Sequence, residues 1–113
     1  MARKTKTMTF DEFVQRIDAN DPVEKGGRRM VKAVRCADGF SVSIQASVFH
    51  YCTPRATVPY SQYSAYELGY PSEGDDLIEE YAETPDRPPR SIYAWVPREV
   101  VAQLVEKHGG IVK

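Results

Sequence analysis

The sequence predicts an α+β domain: an antiparallel sheet of about four strands with helices packed on one face, in the order α-β-β-β-α-β-α. Three observations carry this reading. Phe40, Val42, Ile44, Ala46 and Val48 alternate with Ser41, Ser43, Gln45 and Ser47, the period-2 pattern of a half-buried strand. Asp38-Gly39 stands just before that run and suits a type I′ turn, which would fold Met30 to Cys36 back on Phe40 to Ala46 as a hairpin. Val100, Val101, Leu104 and Val105 repeat at helical spacing between Pro97, suited to a first helical turn, and Lys107-His108-Gly109, a helix end.

Taken in order, Met1 to Met8 reads as a flexible basic leader to a single domain covering 1–113. Thr9-Phe10-Asp11-Glu12 is a capping box in which Thr9 and Glu12 satisfy each other's amides. Phe10, Phe13, Val14 and Ile17 share one helical face, and Asn20-Asp21-Pro22 ends the helix. Lys25-Gly26-Gly27-Arg28-Arg29 is a basic connector into the hairpin; a phosphate-binding loop would need more glycines at set spacing. Pro54 and Pro59 break the stretch from His50 to Tyr63. Ser64 to Tyr70 returns to alternation, with Tyr66, Leu68 and Tyr70 on one face. Ser72 and Asp75 repeat the capping spacing ahead of Leu77, Ile78, Tyr81 and Ala82, which predicts a short acidic helix ended by Thr84-Pro85. After the extended linker Asp86-Arg87-Pro88-Pro89-Arg90, Ile92, Ala94 and Val96 face one side of a strand and Tyr93 and Trp95 the other.

A chain of 113 residues buries roughly 65% of its unfolded surface in one core. No apolar run approaches the ~20 residues that span a bilayer, and the basic leader runs into Thr-Phe-Asp-Glu rather than an apolar signal core. The expected location is the cytoplasm, without membrane attachment. Cys36 and Cys52 read as free thiols, too few for a disulfide framework. The net charge of −1 hides a polarity: residues 1–55 carry ten Lys/Arg against six Asp/Glu, and residues 56–113 five against ten. Between Glu67 and Asp86 there are eight acidic side chains and no basic one, enough for a local negative field.

Catalytic chemistry finds little foothold. Phosphate-loop, nucleophile-elbow and dinucleotide motifs are missing, so no cofactor is expected. His50 and Cys52, two residues apart on an extended chain, could share an ion with Cys36, but zinc sites generally show paired Cys-x-x-Cys elements and no metal is assigned. The same pair is the sharpest candidate for a small thiol or hydrolytic enzyme, and it lacks a recognisable third group to orient the imidazole. Arg28, Arg29, Lys32 and Arg35, with the leader, could neutralise a nucleic-acid backbone, although the isoelectric point of about 6.1 argues against a dedicated nucleic-acid domain. Glu67, Glu73, Asp75, Asp76, Glu79, Glu80 and Glu83 could instead meet a basic protein surface, flanked by Tyr60, Tyr63, Tyr93 and Trp95 as aromatic anchors.

At Phe49-His50-Tyr51-Cys52-Thr53-Pro54-Arg55, Tyr66-Glu67-Leu68-Gly69-Tyr70-Pro71-Ser72 and Tyr93-Ala94-Trp95-Val96-Pro97-Arg98-Glu99-Val100-Val101, closing in Lys107-His108-Gly109-Gly110-Ile111, the chain resembles small accessory proteins of bacteriophages and prophages. The resemblance covers about residues 30–112 and carries no catalytic residue. It implies the cytoplasm of a bacterial host cell and a counter-defence setting. The expected function is therefore a non-catalytic binding protein, monomeric or a small homo-oligomer. It would inhibit or modulate a host protein or ribonucleoprotein machine such as a CRISPR or restriction complex. A nucleic-acid-binding module using the basic N-terminal third is the alternative.

Overall fold

The computed structural model describes residues 6–20, 30–84 and 91–113. Thr7–Met8 forms β1 and Phe10–Asn20 forms α1; β2 (Val34–Arg35), β3 (Ser41–Gln45), β4 (Ala65–Gly69) and β5 (Ile92–Pro97) follow, then α2 (Arg98–Lys107) and β6 (Ile111–Val112). β2-β3-β4-β5 is a four-stranded antiparallel sheet in sequence order, and β1 pairs with β6 in a separate ribbon. The fold is the α+β arrangement read from the sequence. The ribbon corrects the flexible leader at its last two residues: Thr7 sits opposite Val112 and Met8 opposite Ile111, and the Lys113 amide donates to the Lys6 carbonyl at 3.1 Å.

α1 begins at the expected capping box. The Glu12 amide donates to Thr9 Oγ1 at 3.1 Å and the Thr9 amide to Glu12 Oε1 at 3.0 Å. Its Phe10, Phe13 and Val14 side chains are buried on the sheet, with Phe10 edge-on to Tyr66 at 5.2 Å and Phe13 edge-on to Tyr60 at 6.0 Å. α2 adds Val101, Leu104 and Val105 to the same core, which Val42, Ile44, Leu68, Tyr93 and Val96 face from the strands.

The hairpin forms, but with a different turn and a shorter first strand. The Cys36 amide donates to Phe40 O at 2.7 Å and the Gly39 amide to Cys36 O at 3.0 Å, so the loop is the three residues Ala37-Asp38-Gly39. Gly39 has φ +98° whereas Asp38 keeps a negative φ, so the type I′ turn, which requires positive φ at both central residues, is replaced by a three-residue turn with glycine in the left-handed position. Upstream, the Gln45 amide group takes the place of a strand partner: the Val31 amide donates to Gln45 Oε1 at 2.9 Å and Gln45 Nε2 donates to Val31 O.

Two further expectations are corrected. The segment predicted as a short acidic helix is a turn followed by a 3₁₀ turn at Glu79–Tyr81. The Leu77 amide goes to the Asp75 carboxylate, Ile78, Tyr81 and Ala82 bond three residues back, and Ala82 and Glu83 then pair with Tyr93 and Ile92 of β5. A segment drawn into strand pairing at one end and into a carboxylate cap at the other has too few residues left to propagate an α-helix. On β5, Tyr66 faces Val96 and Leu68 faces Tyr93, so one residue of β4 opposes two of β5. This β-bulge at Ala94-Trp95 breaks the strict alternation: Tyr93 and Val96 both enter the core while Trp95, with φ +50°, turns out.

Candidate protein-interaction surface

After Gln45 the chain leaves the sheet and returns to it only at Thr53, which pairs with Ala65 of β4. The excursion is tightly held. The His50 amide donates to Ser47 O at 3.1 Å, the Phe49 amide to Ser47 Oγ at 3.1 Å and the Val48 amide to Thr57 Oγ1 at 3.1 Å. Tyr51 fastens the loop to the sheet through its backbone: its amide donates to Glu67 Oε1 at 3.2 Å, and its carbonyl accepts from the Trp95 amide at 3.1 Å. The Tyr51 and Trp95 rings lie 5.2 Å apart, and the Arg55 guanidinium sits 5.6 Å from the Tyr51 ring centre.

A loop so fixed presents its outer side chains as a preformed surface. Phe49 is 63% exposed, Trp95 49% and Val48 40%, and Tyr51 is half-buried beside them. Large side chains left in water around a rigid backbone are the usual makings of an interface anchor. Trp95 also occupies the left-handed backbone region, which is costly for a bulky residue. Tyr70, at φ +51° and 73% exposed, is the second such residue.

The acidic residues divide into two groups. Glu73, Asp76, Glu79, Glu80 and Glu83 are exposed, and Glu83 lies against Ile92 of β5, three residues before Trp95. Glu67 is half-buried and holds the Tyr51 amide, so it positions the loop rather than facing a partner. Asp75 is buried and structural. Its carboxylate receives the Leu77 amide at 2.9 Å, Lys107 Nζ at 3.1 Å and His108 Nε2 at 2.8 Å. Burial raises its pKa, but the Leu77 amide, His108 and Lys107 outweigh burial and hold it below the ordinary value.

Three of the four expected aromatic anchors lie inside the protein. Tyr60, Tyr63 and Tyr93 are buried, because the chain around them finds carbonyl partners for the first two: the Tyr60 hydroxyl donates to Ile44 O at 2.7 Å and the Tyr63 hydroxyl to Ala56 O at 2.6 Å. Tyr93 enters the core through the bulge. Only Trp95 of that set reaches solvent; Val48, which sequence reading assigned to the strand, and its neighbour Phe49 take the others' place. The signal for them was the run Ser47-Val48-Phe49 ahead of a proline-broken loop, where alternation no longer implies burial. Lys32 and Arg35 are exposed along β2, while Arg28 and Arg29 lie outside the described residues.

His50 and Cys52 belong to the same loop. His50 Nδ1 is 2.6 Å from Ser47 Oγ, and Cys52 is buried with its thiol directed to the carbonyls of Ser47 and Pro54 at 3.2 and 3.4 Å. A thiol enclosed among carbonyls offers a substrate no approach. Burial, aided by Asp38, pushes the Cys36 thiol up to about 11, which suits an inert core residue. Among the described residues no group of three His, Cys, Asp or Glu side chains could hold a metal ion.

The constellation that sequence reading missed is centred on His108. Nδ1 meets Asp38 Oδ2 at 2.6 Å, Nε2 meets Asp75 Oδ2 at 2.8 Å, and the ring stacks on Phe40 with centres 4.0 Å apart. It joins the end of α2 to the hairpin loop and to the turn before the acidic segment. Burial disfavours the charged imidazole, but Asp38 and Asp75 outweigh it and raise its pKa above the ordinary value. The Phe40 amide, then His108, hold Asp38 below the usual carboxylate range. With both ring nitrogens engaged by carboxylates, the group is a cross-link and has no nitrogen left to act as a base. Comparison with known proteins finds no matching family model, no similar curated protein and no similar solved structure.

Proposed function

We propose that this is a non-catalytic binding protein that docks on another protein through Val48, Phe49, Tyr51 and Trp95, with the exposed carboxylates from Glu73 to Glu83 meeting a basic surface beside that contact. The observation that carries the reading is Trp95, held outward in a left-handed conformation and locked to the Tyr51 loop by a backbone hydrogen bond. Backbone strain at a bulky residue persists where the surrounding structure fixes it, and such residues cluster at functional sites. Preformed aromatic anchors lose little side-chain entropy on binding, and the acidic stretch adds partner selection and association rate. The resemblance to phage accessory proteins supports a host macromolecular machine as the partner.

The test is capture from bacterial lysate at about 0.15 M salt, where the Debye length is ≈ 8 Å and long-range attraction is damped. The capture is split into nuclease-treated and untreated halves. A stoichiometric protein should survive nuclease and be lost with the double variant Phe49→Ala, Trp95→Ala, whose circular dichroism and melting stay close to the parent's. Capture by the folded double variant at parental levels removes this surface from the reading. Recovery of nucleic acid alone transfers the assignment to Lys32 and Arg35.

A further inference from the structure

At the opposite edge of the sheet from Trp95, a groove of about 530 Å³ runs between α1, the 31–35 segment and β6. Its floor is aliphatic apart from one ring: Met8, Phe13, Ile17, Val31, Val34 and Ile111. Its rim is cationic, from Arg16 on α1, Lys32 and Arg35 on the strand side and Lys113 beyond β6. No acidic side chain lines it among the described residues, and Arg16, Lys32 and Arg35 are exposed and make no ion pair with any described residue. Lys113 is the partial exception, since its charge also reaches Glu12 on the first turn of α1.

We propose that this groove binds a monomeric fatty carboxylate, with the chain on the floor and the carboxylate among the rim cations. The size lies within the range of small-molecule sites. An ionic ligand alone would touch only the rim, and an uncharged hydrocarbon would leave the cations unanswered. A nucleotide base calls for aromatic stacking and in-plane donors, whereas the one ring here, Phe13, is already edge-on to Tyr60. A flexible alkyl chain fits an aliphatic floor, and a single carboxylate can exchange among neighbouring cations.

The experiment is calorimetric titration of the full chain with octanoate, decanoate and dodecanoate below their micelle concentrations. Methyl NMR of Ile17, Val34 and Ile111 locates the site. Affinity should rise about tenfold for each two carbons added. Dodecanoate methyl ester should bind at least tenfold more weakly than the acid. So should dodecanoate to the triple variant Arg16→Gln, Lys32→Gln, Arg35→Gln, whose exposed positions leave folding intact. Any of four results overturns the proposal: no binding of dodecanoate, equal binding of the ester, methyl shifts confined to other residues, or binding only to anionic lipid vesicles or a hexaglutamate peptide. None of these outcomes bears on the Trp95 surface, which is read out by capture.

Discussion

His108 lies between two carboxylates, both held below the ordinary carboxylate pKa, so the site favours the protonated imidazole, in which each ring nitrogen donates to a carboxylate. The sign of the pH dependence follows. A raised imidazole pKa contributes stability that is fully present below its unfolded value of about 6.5 and is lost as pH rises through the folded value. The depressed Asp38 and Asp75 contribute above about 3.9 and lose it as pH falls through their folded values. The melting temperature should therefore stand highest between roughly pH 4 and 6.5 and decline on the alkaline side. His108→Gln should flatten that decline; an alkaline limb of the same slope in the variant would place the titrating group elsewhere. None of this was legible in the sequence, because Asp38, Asp75 and His108 come from three separate elements and each had a sufficient local explanation as turn, cap or helix-end residue. Tyr70 supplies a second residue-scale prediction. It is left-handed and mostly in solvent, so Tyr70→Asn, which tolerates that conformation, should hold stability or raise it by up to about 1 kcal/mol in a denaturant titration. A clear loss would mean that the ring has packing its exposure does not suggest.

Elements whose pattern is set by burial were readable, and those set by backbone partners were not. α2 ends where its spacing implies and buries Val101, Leu104 and Val105, although Val100 is half-buried and Pro97 closes β5 and caps the helix instead of lying in its first turn; Leu104 is fully enclosed. Leu104→Ala should cost about 2–5 kcal/mol, measured by thermal or denaturant melting. Its glycine cap matters for two reasons: Gly109 has φ +92°, and an added Cβ would lie 2.9 Å from the Ala37 Cβ. Gly109→Ala should thus destabilise by about 1–2 kcal/mol or more, through strain and through pressing on the hairpin loop. A melt equal to the parent would contradict the close approach. Period-2 reading failed at β5 because a bulge inserts a residue that no hydropathy pattern announces, and the insertion decides that Tyr93 is core and Trp95 surface. The acidic stretch showed helical spacing, yet the Leu77 amide's hydrogen bond to the Asp75 carboxylate and the pairing of Ala82 with Tyr93 overrode it.

Across the whole molecule, the charge asymmetry visible in the sequence maps onto separate surfaces, with exposed carboxylates beside β5 and, at the sheet's other edge, the exposed cations Lys32 and Arg35, which make no ion pair among the described residues. Asp76→Lys, Glu79→Lys and Glu80→Lys together should leave melting nearly unchanged, since all three are exposed, while abolishing nuclease-resistant capture. Retained capture by the folded triple variant would assign binding to the aromatic loop alone. The β1–β6 ribbon is the contact whose strands lie furthest apart along the chain, and it has a kinetic meaning. Joining Thr7 to Val112 closes a loop of nearly the full chain length for two residue pairs, so its entropic cost is met only after the hairpin and β4–β5 have shortened the path. Weakening the ribbon, for example with Thr7→Gly, should accelerate unfolding in a chevron experiment and leave the refolding arm in place. The two ends of the described chain would then act as a latch, setting how long the native state lasts rather than how quickly it is found.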